Sequence, residues 1–250
     1  MKIVVCVKVV PVSDSVITIG PDNKSIVTNN LKFDLNPYDE YAIEAAVQLK
    51  EQKGGEVVAL SIGPSRDSLN LKRALALGAD RLIHLVVDDK PLCDPVAIAS
   101  RLANAIKPLS PDLVFCGKIS IDSGNGLVGP LLARQLCWPC ITGICELNLD
   151  SDHLIAAKDT DFGRVVYKSY LPCLLTTEKG LNKPRFPSLK DIMLARKKES
   201  VSENTTVAEG SLELLGLFSP EPRPAGAILG KDIGAVPELI RRLIEEAKVL

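Results

Sequence analysis

Two hydrophobic periods alternate along the first 145 residues. Runs at 3–10, 57–62, 81–87, 113–116 and 141–147 are dense in Val, Ile and Leu on both faces, the pattern of parallel strands covered from both sides. Between them the period lengthens to three and four residues. Asn36-Pro37 offers an N-cap and a first-turn proline for a helix running to 52, with Tyr41, Ala42, Ala45, Ala46 and Leu49 forming one apolar stripe. Asp94-Pro95 repeats the device for a helix to 106. A further helix over 66–77 ends at Gly78, which suits the residue after a helix C-cap. The stripe Leu127, Leu131, Leu132 and Leu136 predicts one more before the strand at 141.

Alternating β and α elements of this kind imply an α/β fold with a doubly wound parallel sheet. Ligands of such sheets bind outside the carboxyl ends of the strands, which directs attention to the loops after Val10, Ile62 and Gly117. Beyond residue 145 the pattern changes. Strands at 154–157, 164–170 and 173–177 follow one another without helices, predicting an antiparallel extension. Ser188, with Asp191 three residues on, caps a short helix that ends in Arg196-Lys197-Lys198. Residues 199–233 are polar, then rich in Pro and Gly, and lack periodicity, so they read as an extended arm. A closing helix over 235–249 carries an apolar stripe of Val236, Leu239, Ile240, Leu243 and Ile244. The chain thus divides into a core of 1–198 and an arm plus C-terminal helix over 199–250, which covers a partner or folds back on the core.

Composition removes several functions. Thirty Lys and Arg against 31 Asp and Glu leave a net charge of −1, so no general attraction to nucleic acid or anionic membrane follows. With two histidines, His84 and His153, neither a His-rich metal site nor a His-based catalytic triad is expected. The opening Met-Lys-Ile-Val-Val-Cys-Val-Lys carries charge inside its apolar run and reads as a strand, not a signal sequence or membrane span. Seven cysteines, several inside apolar strands, fit reduced core side chains and a cytoplasmic protein. Cys137-Trp-Pro-Cys140 has thioredoxin-like spacing, but it follows a helix. Cys137 would then face the negative end of a helix dipole, which raises a thiol pKa, and the segment reads as a helix-to-strand junction. With Cys145 the cluster has three thiols, short of an iron–sulfur set.

The segment best suited to bind something is Gly117-Lys118-Ile119-Ser120-Ile121-Asp122-Ser123-Gly124-Asn125-Gly126-Leu127-Val128. It leaves a buried strand and opens a helix, and its glycines let backbone approach a ligand at a helix N-terminus. It matches neither a Walker A sequence nor a Rossmann glycine turn. Lys118 would neutralise phosphate, and Asp122 would cap the helix or hold a sugar hydroxyl. A glycine-rich connection without ligand remains the alternative. No nucleophile–base pair or metal spacing accompanies the loop, so catalytic and metal residues are not predicted.

From the first strand to the terminal helix, the chain resembles the β subunit of electron transfer flavoproteins. The matching pieces are Val5-Cys6-Val7-Lys8-Val9-Val10-Pro11, Asn36-Pro37-Tyr38-Asp39, Ala74 to Arg81, the Gly117–Val128 loop, and Pro184-Arg185-Phe186 followed by Ile192 to Lys198. The resemblance implies an adenine-nucleotide-binding fold in a heterodimer with an α subunit. By it, Cys6, Asn36, Pro37, Tyr38, Asp39, Ile62 and Gly117 to Val128 surround a nucleotide, AMP in ordinary members and a second FAD in electron-bifurcating members that oxidise NADH. The redox FAD is held by or shared with the α subunit. Leu189, within a docking loop at 184–198, corresponds to the anchor that meets acyl-CoA dehydrogenase-type partners. The loop departs from the family at Asn125 to Val128, and Phe162-Gly163 and Val165 stand where a glycine pair and an acid are usual. A stand-alone adenine-nucleotide sensor is the competing reading, and it would not require residues 146–250.

Overall fold

The computed structural model describes residues 1–88, 94–150, 153–206, 212–222 and 225–250. The chain forms two units, Met1–Gly216 and Leu217–Leu250. In the first, β1 (Lys2–Cys6) is followed by a short antiparallel pair, β2 (Val9–Pro11) and β3 (Phe33–Leu35). Helix α1 (Pro37–Lys53), β4 (Glu56–Pro64), α2 (Ser68–Ala76), β5 (Arg81–Val87) and α3 (Pro95–Ile106) come next. Then follow β6 (Leu113–Gly117), α4 (Val128–Leu136) and β7 (Cys140–Ile144). A three-stranded antiparallel sheet is built from β8 (Glu146–Leu149), β9 (Leu154–Thr160) and β10 (Gly163–Ser169). Strand β11 (Cys173–Thr177), α5 (Leu189–Ala195) and β12 (Glu199–Asn204) complete the larger unit.

Seven strands make one parallel sheet in the order β12-β5-β4-β1-β6-β11-β7. Its strands alternate between two apolar layers. Ile3, Val5, Val57, Ala59, Leu113 and Phe115 meet α1 and α2 on one face. Val4, Cys6, Val58, Leu60, Val114 and Cys116 meet α3 and α4 on the other. The doubly wound α/β architecture expected from the pattern is therefore present. The chain runs outward from β1 to β4 and β5, then returns across the sheet to β6. That reversal places a topological switch point between the carboxyl ends of β1 and β6.

Four expectations need correction. The run 141–147 is not one strand: Cys140–Ile144 is β7 of the parallel sheet, and Glu146–Leu149 is β8 of the antiparallel one. The run 3–10 is two strands, because the Lys8 backbone N–H leaves the ladder and donates to the Asp39 carboxylate at 2.8 Å. Residues 173–177 are not in the antiparallel extension but form β11, a parallel strand between β6 and β7. All five of its residues are buried, as a strand covered on both faces requires. No helix precedes it, because the chain returns to the sheet through the β9–β10 hairpin. Finally, the arm does not begin at 199: Glu199–Asn204 is β12, an edge strand paired with β5. Its sequence, Glu-Ser-Val-Ser-Glu-Asn, is polar because all of its residues but Val201 are exposed at the sheet edge, so it carries no apolar signal.

Helix caps follow the sequence unevenly. Asp94 accepts from Val96 N and Ala97 N, and Ser188 and Asp191 form a reciprocal capping box on α5. Gly78 follows α2 with φ +123°, where a Cβ would meet the Val47 side chain at 2.9 Å. Asn36 makes no cap bond to α1; its side chain is used elsewhere. In the smaller unit, α6 (Val236–Glu245) is shorter than the predicted helix, and Glu238 pairs with both Arg241 and Arg242. Its stripe residues Val236, Leu239, Ile240 and Ile244 are exposed.

Candidate functional site

The segment 117–128 leaves the carboxyl end of β6 at the switch point, and its path is set by buried groups from α1. Asn36 Nδ2 donates to Ile119 O at 2.8 Å and to Asp39 Oδ1 at 2.9 Å, while Ile121 N donates to Asn36 Oδ1 at 3.2 Å. Asp39 accepts from Lys8 N, from Asn36 and from Gly117 N at 3.1 Å. Burial pushes its carboxyl up to about 7, against the pull of these donors and of the Lys8 charge. Gly117 has no room for a side chain, since a Cβ would stand 2.3 Å from Asp39 Oδ1 and 2.8 Å from Tyr38 Cβ. Thr177, at the end of β11, adds a hydrogen bond to Tyr38 O at 2.9 Å.

Asn36 and Asp39 are thus buried braces beneath the loop, with their polar atoms bonded to backbone and to each other. Cys6 is likewise buried, beside Cys116 at the end of the neighbouring strand. A hydrogen bond with Cys6, together with burial, holds the Cys116 thiol well above its usual range. Ile62 is half-buried and packs on the layer beneath α3 and α4. Pro37 is exposed at the first turn of α1, and Tyr38 is half-buried behind it.

The exposed part of the site runs from Lys118 to Leu127. Lys118, in the loop itself, has its ammonium paired with Glu178, and that bond holds it protonated. A second cation reaches the loop from outside it: Lys8 Nζ lies 2.6 Å from Asp122 Oδ2 and 3.5 Å from Ser120 Oγ. Ser120 and Ser123 hydroxyls are 2.8 Å apart. Partial burial raises Asp122, but the Lys8 charge together with hydrogen bonds from Lys8, Ser120 and the Ser123 backbone keeps the carboxyl below its usual range. Asp122 does not cap α4; its Oδ1 turns back to Ser123 N at 2.8 Å. The N-cap of α4 is Leu127, whose side chain makes no cap bond, and Asn125 Oδ1 accepts from Leu127 N at 3.3 Å. Gly124 and Gly126 sit at φ +65° and +63°, which folds the backbone tightly ahead of α4. Gly129 lets α4 lie on β11, where a Cβ would approach Thr176 Cγ2 to 2.6 Å. An open recess of about 770 Å³ lies at the carboxyl ends of β4, β5 and β12, lined by Pro64, Ser65, Arg66, Val87, Asn204 and Thr205.

The chain's relatives agree with this architecture. Residues 24–208 match the family model for the electron transfer flavoprotein domain. The electron transfer flavoprotein subunit beta of Bacillus subtilis is 37% identical over 225 residues, covering 86% of this chain and 88% of that protein. The mitochondrial subunit beta of Arabidopsis thaliana is 36% identical over 257 residues and the whole of both chains. The human subunit beta is 32% identical over 256 residues, all of this chain and 99% of its own. The chain belongs to the electron transfer flavoprotein beta-subunit family.

Other elements gain meaning within an electron transfer flavoprotein subunit. Leu189 opens α5 with 82% of its surface exposed, and Phe186 and Met193 nearby are exposed too. Leu189 is therefore not a buried helix-start residue. Phe162 stands fully exposed at the β9–β10 turn. Cys137 occupies the C-cap of α4 with φ +57°, and Cys140 starts β7, where burial pushes its thiol up to about 11. The six described cysteines are free. Among the described residues there is no metal-holding cluster, and no helix is long and apolar enough to cross a membrane. The contacts of Lys8 and Glu178 with the loop carry no local sequence signal: Lys8 stands within Val-Lys-Val-Val-Pro, and its reach to Asp122 depends on β1 and β6 being neighbours.

Proposed function

We propose that this chain is the β subunit of a heterodimeric electron transfer flavoprotein, and that its 117–128 segment binds an adenine nucleotide. The observation that carries the reading is the brace itself. Asn36 and Asp39 commit buried polar groups to holding an exposed glycine loop ahead of a helix end that lacks a side-chain cap. A purely connecting loop has no need of that investment in buried polarity. The residues present suit a phosphate group: backbone at Gly124 to Val128, the Ser120 and Ser123 hydroxyls, and the Lys8 ammonium exchanging its Asp122 partner for the ligand. The nucleotide is AMP or the adenylate end of a second FAD.

The electron-carrying FAD, held by or shared with the α subunit, supplies the redox chemistry when bound. This chain contributes scaffold, nucleotide site and docking surface, and acid–base residues are not needed for that role. Leu189 docks an acyl-CoA dehydrogenase-type donor, and the unit from Leu217 engages the α subunit. We place the complex in the cytoplasm, in keeping with free thiols. A stand-alone sensor is disfavoured because β11 and β12, both drawn from beyond residue 146, belong to the main sheet.

The test is to purify the heterodimer and to identify and count its released nucleotides. One FAD with one AMP defines the ordinary carrier, and two FAD the bifurcating type. A heterodimer with a single FAD and no second adenine nucleotide would overturn the site assignment. Removal of residues 217–250, rather than from 199, tests α-subunit binding without stripping an edge strand from the sheet.

A further inference from the structure

The docking segment hangs between two cationic attachments. Before it, Arg185 grips α1: its Nε and Nη2 donate to the two oxygens of Glu44 at 2.8 and 3.1 Å, and its backbone N donates to the same carboxylate at 3.1 Å. The outer edge of the guanidinium reaches Glu51 at 2.7 and 3.2 Å. Glu44 is buried, with 6% of its side chain exposed, and Gln48 braces it at 2.8 Å. Asn182 adds a bond to Tyr41 O at 2.9 Å. After the segment, Lys198 Nζ donates to Leu75 O and Ala79 O at the end of α2, at 2.9 and 2.6 Å. Between these attachments Ala195 is the one residue of α5 that is buried, while Phe186, Leu189 and Met193 face solvent.

A seven-residue helix that buries a single small side chain cannot fix its own orientation by apolar contact. Arg185, by contrast, holds both backbone and side chain of its segment against one buried carboxylate, in a planar fork geometry that a lysine cannot reproduce. We infer that Arg185, through Glu44, is the positioning residue that sets where Phe186 and Leu189 are presented to the electron-donating dehydrogenase. The inference deepens the docking role proposed above and rests on it. Arg185 need not touch the donor: its side chain is turned inward onto α1, and its effect is exerted through the adjacent apolar residues.

The experiment uses the intact heterodimer with an acyl-CoA dehydrogenase reduced by its acyl-CoA substrate. Arg185→Met should raise the KM for the flavoprotein about tenfold or more, by displacing the anchors, and leave kcat and nucleotide content near wild type. Arg185→Lys should recover only part of the loss. Amide hydrogen exchange should accelerate at 186–195 and stay unchanged in β1, β4 and β6. If Arg185→Met cannot be purified, Glu44→Gln keeps the volume and one acceptor and should show the same KM change in smaller degree. Unchanged KM together with unchanged exchange at 186–195 would overturn the inference, as would a uniform fall in kcat and nucleotide content. Leu189→Ala in the same assay separates the two readings. If that variant has wild-type KM, the docking role fails, and the exchange pattern alone decides whether Arg185 positions the segment.

Discussion

The Asp39 carboxylate accepts the backbone N–H of Gly117 at 3.1 Å, joining the first turn of α1 to the end of β6 across 78 positions of sequence. The contact exists because Gly117 has no Cβ. It fixes the point from which the glycine loop departs, and Asn36 continues the brace one turn of chain further on.

Near pH 5 Asp39 is a neutral acid whose Oδ2 still accepts from Lys8 N, and Asp39→Asn replaces that oxygen with an amide nitrogen that cannot accept. The expected cost is about 1–3 kcal/mol, measured by urea unfolding near pH 5. The pH dependence has a definite sign. Burial raises the native carboxyl from 3.8 to about 7, so between those values the folded state holds more protons than the unfolded one. Wild-type stability from this group therefore falls as pH rises through that window, and its advantage over Asp39→Asn shrinks. A gap that widens with pH would refute this assignment.

Gly126→Val should empty the nucleotide site. The position has φ +63°, and an added Cβ would lie 3.3 Å from Lys118 O and 3.4 Å from Ile119 Cγ2. A branched residue there is strained by roughly 1–2 kcal/mol before any ligand is considered. Released-nucleotide content should drop well below that of wild type while the fold persists; full occupancy would contradict the cradle.

Leu189→Ala is expected to leave stability within about 0.5 kcal/mol, because the side chain is exposed. Electron transfer from the dehydrogenase should weaken by about 30-fold if the residue is a docking anchor worth roughly 2 kcal/mol. Stopped-flow reduction of the heterodimer measures this directly, and an unchanged rate would remove Leu189 from the interface.

Cys137 tests the redox alternative. At the C-cap with φ +57° it serves chain geometry, so Cys137→Gly should raise stability by up to about 1 kcal/mol. Cys137→Ser should leave electron transfer unaltered. Loss of transfer in the serine variant would reinstate a thiol role.

The sequence by itself determined the alternation of strands and helices, the two-sided burial of the parallel strands, the caps at Asp94 and Ser188, and a glycine-rich loop between a buried strand and a helix. Those features are local, written in periodicity and in residues whose backbone preferences are strong. The family was also legible, in short motifs spread over the whole chain. Tertiary structure alone decided the rest. It seated β11 inside the sheet between β6 and β7 and β12 at its edge, since strand order depends on which surfaces remain to be covered, not on neighbouring residues. It also buried Asn36 and Asp39 as braces beneath the loop, and brought Lys8 to Asp122 and Ser120. Those roles arise where β1, β6 and α1 converge, and a side chain's partner there is set by proximity between segments that sequence spacing does not encode.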